Sequence, residues 1–157
     1  PGRSSSIGIH TPTRKGGPVN GLGRVFNAVA VADGVYVPLK DAGAVSFLCY
    51  LAAGDTFTVQ EAQDAAGTGA QNLATVTDYS TSDGLGGAWT DRVQAAGAAV
   101  TVSGAANLDC AVFTISAEEL SAGFTHVKCT STGAGTVVAI LHDLKVQRTP
   151  GNLPALV

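Results

Sequence analysis

Charge and helix-favouring residues are scarce in this chain. Only 13% of the 157 residues are charged, about half of the usual quarter. Glu and Lys together number seven, whereas Gly occurs 20 times. Glu and Lys are common on the surfaces of helices, and Gly is common in turns. The composition therefore argues against a helical protein and favours an all-β one.

Methionine and long apolar runs are both absent. A transmembrane helix needs about 18 to 20 consecutive apolar residues, so we expect no such helix and no membrane partner. The pattern of a secretory signal peptide is also missing. Because the chain begins at Pro1 without a Met, we expect that an initiator Met is removed and that synthesis is cytoplasmic.

The short Cys and His spacings that mark metal sites do not occur. Cys49, Cys110 and Cys129 are odd in number and lie in apolar strand patterns, so we expect buried free thiols in a reducing compartment. A zinc site formed by His126, His142 and a carboxylate is the alternative. His126 and Cys129 are three residues apart, which places them on opposite faces of a strand. We therefore expect no metal and no cofactor.

A catalytic constellation is equally hard to find. No G-x-S-x-G motif occurs, and His142 and Asp143 are neighbours that point apart in a regular strand. A Cys129–His142 pair across adjacent strands is conceivable, but two packed strand residues is the simpler interpretation. Five acids near strand ends are expected to be solvated turn formers: Asp55, Glu61, Asp78, Asp91 and Asp109. The sequence thus predicts that the protein is not an enzyme.

The chain instead contains many short segments rich in Val, Thr, Phe and Ala, separated by Gly, Asp, Asn and Ser. The predicted strands are residues 45–51, 56–62, 73–77, 98–103, 108–115, 124–130 and 136–146. Apolar residues alternate within them, which suits two packed antiparallel sheets. We expect an antiparallel β-sandwich with jelly-roll or Ig-like connections.

Three local features refine this prediction. Val29, Val31, Val35 and Val37 alternate around Asp33-Gly34, which is typical of a β-hairpin. Residues 116–121 predict one helical turn with Ser116 as N-cap, crossing between the sheets. Residues 64–72 and 80–88 consist of small residues and are expected to be surface loops.

Charge divides the chain into an arm and a body. Residues 1–32 contain four basic and no acidic residues, whereas the remainder contains five basic and twelve acidic ones. We expect an extended arm over residues 1–19, a sandwich over 20–148 and an extended tail over 149–157. The arm would lie on an acidic surface of a partner. Its predicted partner-binding residues are Arg3, Ile7, Ile9, Arg14 and Lys15.

Nucleic acids and carbohydrates are the two alternatives to a protein partner. Nucleic-acid binding by the arm is a weak prediction, because its few basic residues are not interleaved with aromatic ones. A carbohydrate-binding or receptor-binding module would place Trp89, Tyr79 and Asp91 in one exposed groove. Since only 6% of residues are aromatic, this function is the alternative.

The body resembles small β-sandwich proteins encoded among the structural genes of tailed bacteriophages. The similar segments are VSFLCYLAAGDTFTVQEAQDAAGTG and AEELSAGFTHVKCTSTGAGTVVAILHDLKVQRTPGNLP, within residues 43–154. The resemblance implies a virion protein, most simply a decoration (cement) protein on the outside of the capsid. Its expected partners are the major capsid protein and other copies of itself, in a trimer or another small ring. A tail or connector protein is the alternative, and no catalytic residues carry over.

Overall fold

The computed structural model describes residues 28–50, 54–83, 86–102 and 110–145. Within these ranges the chain forms eleven strands and one short 3-10 turn at Ala117–Glu119. The strands are β1 (Ala28–Val29), β2 (Val37–Pro38), β3 (Ala42–Tyr50), β4 (Asp55–Ala62), β5 (Gln71–Asn72), β6 (Val76–Ser82), β7 (Thr90–Gly97), β8 (Ala99–Val102), β9 (Cys110–Ser116), β10 (His126–Ser131) and β11 (Thr136–Leu144).

The strands form two antiparallel sheets. Sheet A has the order β1-β11-β3-β9-β6-β7, and sheet B has the order β2-β10-β4-β5. In sheet B, β8 pairs with the first half of β4 and β5 with its second half. The predicted all-β antiparallel sandwich is confirmed.

Alternation of side chains builds the core between the sheets. Phe47 on β3 and Phe113 on β9 face inwards from sheet A, with ring centroids 5.7 Å apart. Phe57 and Val59 on β4 face them from sheet B and are fully buried. Because successive residues of a strand point to opposite faces, the strands that pack against the core direct alternate side chains into it. β9 lies between β3 and β6, an interior position that agrees with the central strand predicted from its apolar sequence.

The sequence prediction differs from the structure at β6 and β7. The segment predicted at 73–77 is replaced by β6 at Val76–Ser82, whose end lies in a predicted loop. β7 was not predicted at all. Its residues, TDRVQAAG, are mostly exposed on both faces of the strand, so they lack the alternation by which a half-buried strand is recognised.

The predicted hairpin at Asp33-Gly34 is wrong. β1 pairs with β11 in sheet A, whereas β2 pairs with β10 in sheet B, so the chain crosses between the sheets here. Gly34, with φ +71°, donates its N–H to the Cys129 carbonyl at 3.0 Å. The Asp33 carboxylate accepts from the Ser131 N–H at 2.7 Å. These hydrogen bonds anchor the turn to β10. β1 and β2 do not pair with each other, because β1 pairs with β11 and β2 pairs with β10.

The predicted helical turn after β9 is confirmed. Ser116 caps it, and the Ser116 N–H donates back to Glu119 Oε2 at 2.6 Å, which completes a capping box. The turn carries the chain from sheet A to sheet B.

Across the described ranges, no helix is long and apolar enough to cross a bilayer. The predicted arm at 1–19 and the predicted tail at 149–157 lie outside those ranges.

Candidate functional site

β7 forms an open edge of sheet A. It pairs with β6 on one side, and no strand in the described part of the chain pairs with its other side. Trp89, just before the strand, is 52% exposed, and Val93 within it is 79% exposed. An open strand edge carrying exposed apolar side chains is a template for adding a further strand. This edge was not predicted from the sequence, although an isolated Trp and Val in a polar segment were its visible signal.

Only the first half of β7 has an open edge that can pair with a further strand. The pairing of β6 with β7 shifts register between Val76 and Asp78, where β7 bulges. Gln94 lies in the bulge, and its amide donates to the carbonyls of Val76 and Ala99 at 3.1 and 3.0 Å. Bulges discourage pairing at an edge. Residues 89–93 therefore form the accessible part, which we call the β7 edge.

A groove of about 500 Å³ lies beside the β7 edge on the outer face of sheet A. It opens where β6 separates from β9, since these strands pair only from Ser80 to Ser82. Its lining residues are Asp78, Tyr79, Ser80, Asp91, Arg92, Val93, Val112, Phe113 and Thr114. Ser80 and Asp91 face this groove, whereas the Tyr79 side chain packs against the core and Trp89 lies outside the lining. The three residues of the glycan-binding alternative are therefore not brought together in one groove.

Ser46, His142 and Asp143 form a hydrogen-bonded chain on the same outer face. Asp143 Oδ2 lies 2.8 Å from His142 Nδ1, and His142 Nε2 lies 3.0 Å from Ser46 Oγ. The prediction that His142 and Asp143 point apart is wrong, because Asp143 has a φ of +52° and the strand is irregular there.

The hydrogen-bonded series Ser46–His142–Asp143 has the order of a catalytic triad, but the surroundings of Ser46 differ from those of a catalytic nucleophile. Ser46 is 3% exposed and lies in the middle of β3, paired with Thr114 on one side and Ile140 on the other. Its hydroxyl also shares a hydrogen bond with Thr114 Oγ1 at 2.8 Å. A catalytic nucleophile must be accessible to its substrate and must lie beside hydrogen-bond donors for the developing oxyanion. The Ser46 hydroxyl is instead buried, in a strand that is paired on both sides.

The other pairings suggested for the histidines are not formed either. Cys129 faces the core from β10 in sheet B, while His142 lies on β11 in sheet A, so the suggested Cys129–His142 pair is wrong. His126 and His142 lie on different sheets. Among the described residues, no three His, Cys, Asp or Glu side chains are grouped to hold a metal ion.

The three cysteines are buried and none of them forms a disulfide, as predicted. A hydrogen bond with Cys129 and the burial of its side chain both raise the pKa of the Cys49 thiol far above its usual range. Thiols in this state are poor nucleophiles.

Asp55 is buried rather than solvated, which corrects the sequence prediction. It accepts hydrogen bonds from the loop that joins β10 to β11 and from its own neighbour. The donors are Thr56 N–H, Ser131 Oγ–H, Thr132 N–H and Oγ–H, Gly133 N–H and Gly135 N–H. Burial works to raise the pKa of Asp55, but the hydrogen bonds outweigh it and the pKa is lowered.

Glu61, at the opposite end of β4, is also buried, with 1% of its surface exposed. It accepts from Gln71 Nε2 at 2.6 Å, from Ser121 N–H at 2.8 Å and from Ser121 Oγ at 2.5 Å. Here too burial opposes ionisation, and the donors still lower the pKa. The inward face of β4 thus has a buried carboxylate at each end and apolar side chains between them. Each carboxylate holds a neighbouring loop by hydrogen bonds. Asp78 and Asp91 are exposed, as predicted, and Asp109 lies outside the described ranges.

The predicted partner-binding residues Arg3, Ile7, Ile9, Arg14 and Lys15 lie outside the described ranges, so their roles remain predictions. Searches of protein-family models, curated proteins and solved structures gave no match to this chain.

Proposed function

We propose that this protein is a non-enzymatic structural component of a tailed-phage virion, bound to the outside of the head as a decoration protein. The observation that supports an assembly role is the β7 edge. An open strand that exposes Trp89 and Val93 costs solubility in an isolated monomer and becomes useful when another chain covers it. The resemblance to phage head proteins supplies the virion setting.

In this proposal, the basic arm contacts the major capsid protein. Arg3, Arg14 and Lys15 meet acidic capsid surface, and Ile7 and Ile9 occupy apolar grooves by strand addition. The arm carries no acidic residue, so every charge on it contributes attraction of one sign.

Removal of residues 1–19 tests the proposal. The truncated protein is expected to fold, because the described sandwich begins at residue 28, and to lose co-sedimentation with the heads of the phage that encodes it. Circular dichroism and thermal unfolding provide the folding control. Equal occupancy of heads by the truncated and full-length proteins contradicts the proposal.

A glycan-binding module is the second candidate function, favoured by the groove that contains Asp91 and Ser80. The Ser80 hydroxyl donates to Asp91 Oδ1 at 2.9 Å, so two polar groups are already oriented on one wall. The same truncation separates the candidates. Head binding depends on residues 1–19, whereas glycan binding in this groove does not.

A further inference from the structure

The exposed side chains of the β7 edge alternate in character along the outer face of sheet A. Asp91 pairs with Ser80, and Ser80 pairs with Val112, which lies on the face of sheet A away from the core. By alternation, Val93 shares this outer face with Asp91, and Trp89 is the next residue of the same series. The β7 edge therefore presents an apolar, an acidic and an apolar side chain in turn.

The acidic side chains at this edge lack a cation. Val93 pairs with Asp78, so the carboxylates of Asp78 and Asp91 lie diagonally across β6 and β7 on the outer face. Each accepts a hydrogen bond from a β6 hydroxyl, and in the described ranges neither forms an ion pair. Arg92 points to the other face, where its Nε–H donates to Thr81 Oγ1 at 3.2 Å. A positive charge supplied by a partner is therefore attracted by both carboxylates.

We propose that the β7 edge binds an extended segment of another protein, in which a Lys or Arg side chain lies between two apolar ones. The segment adds a strand to sheet A, with its basic residue opposite Asp91 and its apolar residues opposite Trp89 and Val93. Opposite charges, and pairs of aromatic or β-branched residues, are favourable cross-strand combinations. A shift of two residues places the basic residue opposite an apolar one, and a shift of one residue turns it to the other face. The side chains thus favour one register.

Other occupants of the β7 edge are less favourable. The phosphates of a nucleic acid or of an anionic membrane are repelled by Asp78 and Asp91. In a second copy, β7 is available to pair with β7, but centring that pair on Asp91 or Arg92 sets like charges opposite each other. Centring it elsewhere pairs fewer residues of the edge or extends into the bulge. The charge of the edge therefore favours a basic segment of a different protein.

This inference rests on the proposed assembly role and gives the chemistry of the segment that covers the β7 edge. Trp89 is the only tryptophan of the chain, so its fluorescence reports directly on this edge. The probe is a short blocked peptide in which Val, Lys and Val alternate with Thr, and the control peptide carries Glu in place of Lys. Both peptides read the same in either direction, so the test does not depend on the direction of the added strand.

The peptides are titrated into the full-length protein at low salt, where charge pairing is least screened. We expect the Lys peptide to shift the Trp89 emission to shorter wavelength, because the added strand covers the indole. We also expect it to bind about tenfold or more tightly than the Glu peptide, since the Glu peptide sets like charges opposite each other. No shift with the Lys peptide up to about 1 mM overturns the inference.

Asp91→Lys is expected to reverse this preference, because the Glu peptide then meets a cation and the Lys peptide a like charge. Asp41→Lys is the matched control, since it makes the same charge change at an exposed residue before β3, outside the β7 edge. It is expected to bind both peptides as the parent does, and circular dichroism checks that both variants fold. A folded Asp91→Lys variant that keeps the preference of the parent overturns the inference.

N-methylation of the Lys peptide separates strand addition from charge attraction alone. Methyl groups on alternate residues remove one set of N–H donors and leave the side chains unchanged. Because alternate N–H groups of a strand point to opposite edges, methylation of one set is expected to abolish binding and methylation of the other set to preserve it. Equal effects of the two methylations contradict an added strand.

Sedimentation distinguishes this contact from self-association and from head binding. A purified chain that self-associates, and that Asp91→Lys dissociates, identifies a second copy as the occupant and overturns the inference. Head binding that depends on residues 1–19, without binding of the Lys peptide, overturns the contact at the β7 edge and leaves the proposed function standing. Peptide binding as described, without head binding, supports the contact and overturns the virion role.

Discussion

The Asp55 carboxylate organises a loop that contains almost no apolar anchor. Residues 131–135 read STGAG, and the backbone N–H groups of Thr132, Gly133 and Gly135 converge on this one side chain. Hydrogen bonds to a charged acceptor are roughly twice as strong as neutral ones. A single acid thereby replaces the packing that small residues cannot supply.

Asp55→Asn is expected to destabilise the protein by about 3 kcal/mol near neutral pH, because the amide carries no charge and its NH2 group faces N–H donors. Urea unfolding measures this loss. Asp78→Asn is the matched control, since Asp78 is exposed and accepts a hydrogen bond from the adjacent Thr77 hydroxyl. It is expected to change stability by less than about 0.5 kcal/mol. Equal losses in the two variants contradict this role for Asp55.

The pH dependence of the protein's stability follows from the lowered pKa values of Asp55 and Glu61. A carboxyl whose pKa is lower in the folded state stabilises the fold fully above its unfolded value, about 4. That stabilisation is lost as pH falls through the folded-state pKa. The parent is therefore expected to lose stability below about pH 4, and Asp55→Asn to lose less over the same range. A parent whose stability is unchanged from about pH 5 to about pH 3 contradicts the assignment.

Ser46 illustrates why residue identity alone does not define chemistry. Its partners His142 and Asp143 have the order of a triad, yet the hydroxyl sits within the β9–β3–β11 ladder. The irregular backbone at Asp143 creates the contact, and nothing in the adjacent letters His-Asp signals a φ of +52°.

The loop between β10 and β11 depends on a close backbone approach as well as on Asp55. A Cβ at Gly135 would lie 2.6 Å from Asp55 Oδ2 and 3.0 Å from Phe57 Cζ. Gly135→Ala is expected to cost about 2 kcal/mol, because the loop must move away from the carboxylate that holds it. Chemical unfolding measures the cost.

Gly97→Ala is the control for this substitution. A Cβ at Gly97 would lie 3.5 Å from the Ala95 carbonyl oxygen, which is ordinary contact. Its effect is expected to stay below about 1 kcal/mol. If Gly135→Ala is as harmless as the control, the loop is not held against Asp55.

Strands with one face in the core were predictable from the sequence. A strand with no face in the core, such as β7, was missed. β3, β4 and β11 alternate clearly because one face of each contacts the core, so their positions could be predicted within a few residues. β7 contacts the core on neither face and leaves no such pattern. The crossing at Asp33-Gly34 was also missed, because a turn signal reports a change of direction and not the sheet that the next strand joins. Asp55 and Glu61 were misjudged since burial of an acid depends on donors far away in sequence, such as Ser121.

At the scale of the whole molecule, the two sheets share one closed core. Cys49 faces it from sheet A and Cys129 from sheet B, whereas Cys110 is buried on the opposite face of β9 from Ala111 and Phe113. The Cys49 and Cys129 thiols are reached by a reagent only when the sandwich opens, because both side chains are buried between the sheets. Their reactivity therefore reports opening of the whole sandwich.

We expect Cys49 and Cys129 in the native protein to react with a thiol reagent more than about a thousandfold slower than in the unfolded chain. Mass spectrometry of the labelled peptides measures both rates at each position. Asp55→Asn tests whether the opening is global, because a variant destabilised at the loop that joins the sheets must then react faster at both positions in the same proportion. If Cys49 or Cys129 alone reacts fast in the native protein, or if only one of them is accelerated in the variant, the two sheets open separately and their core is not one cooperative unit.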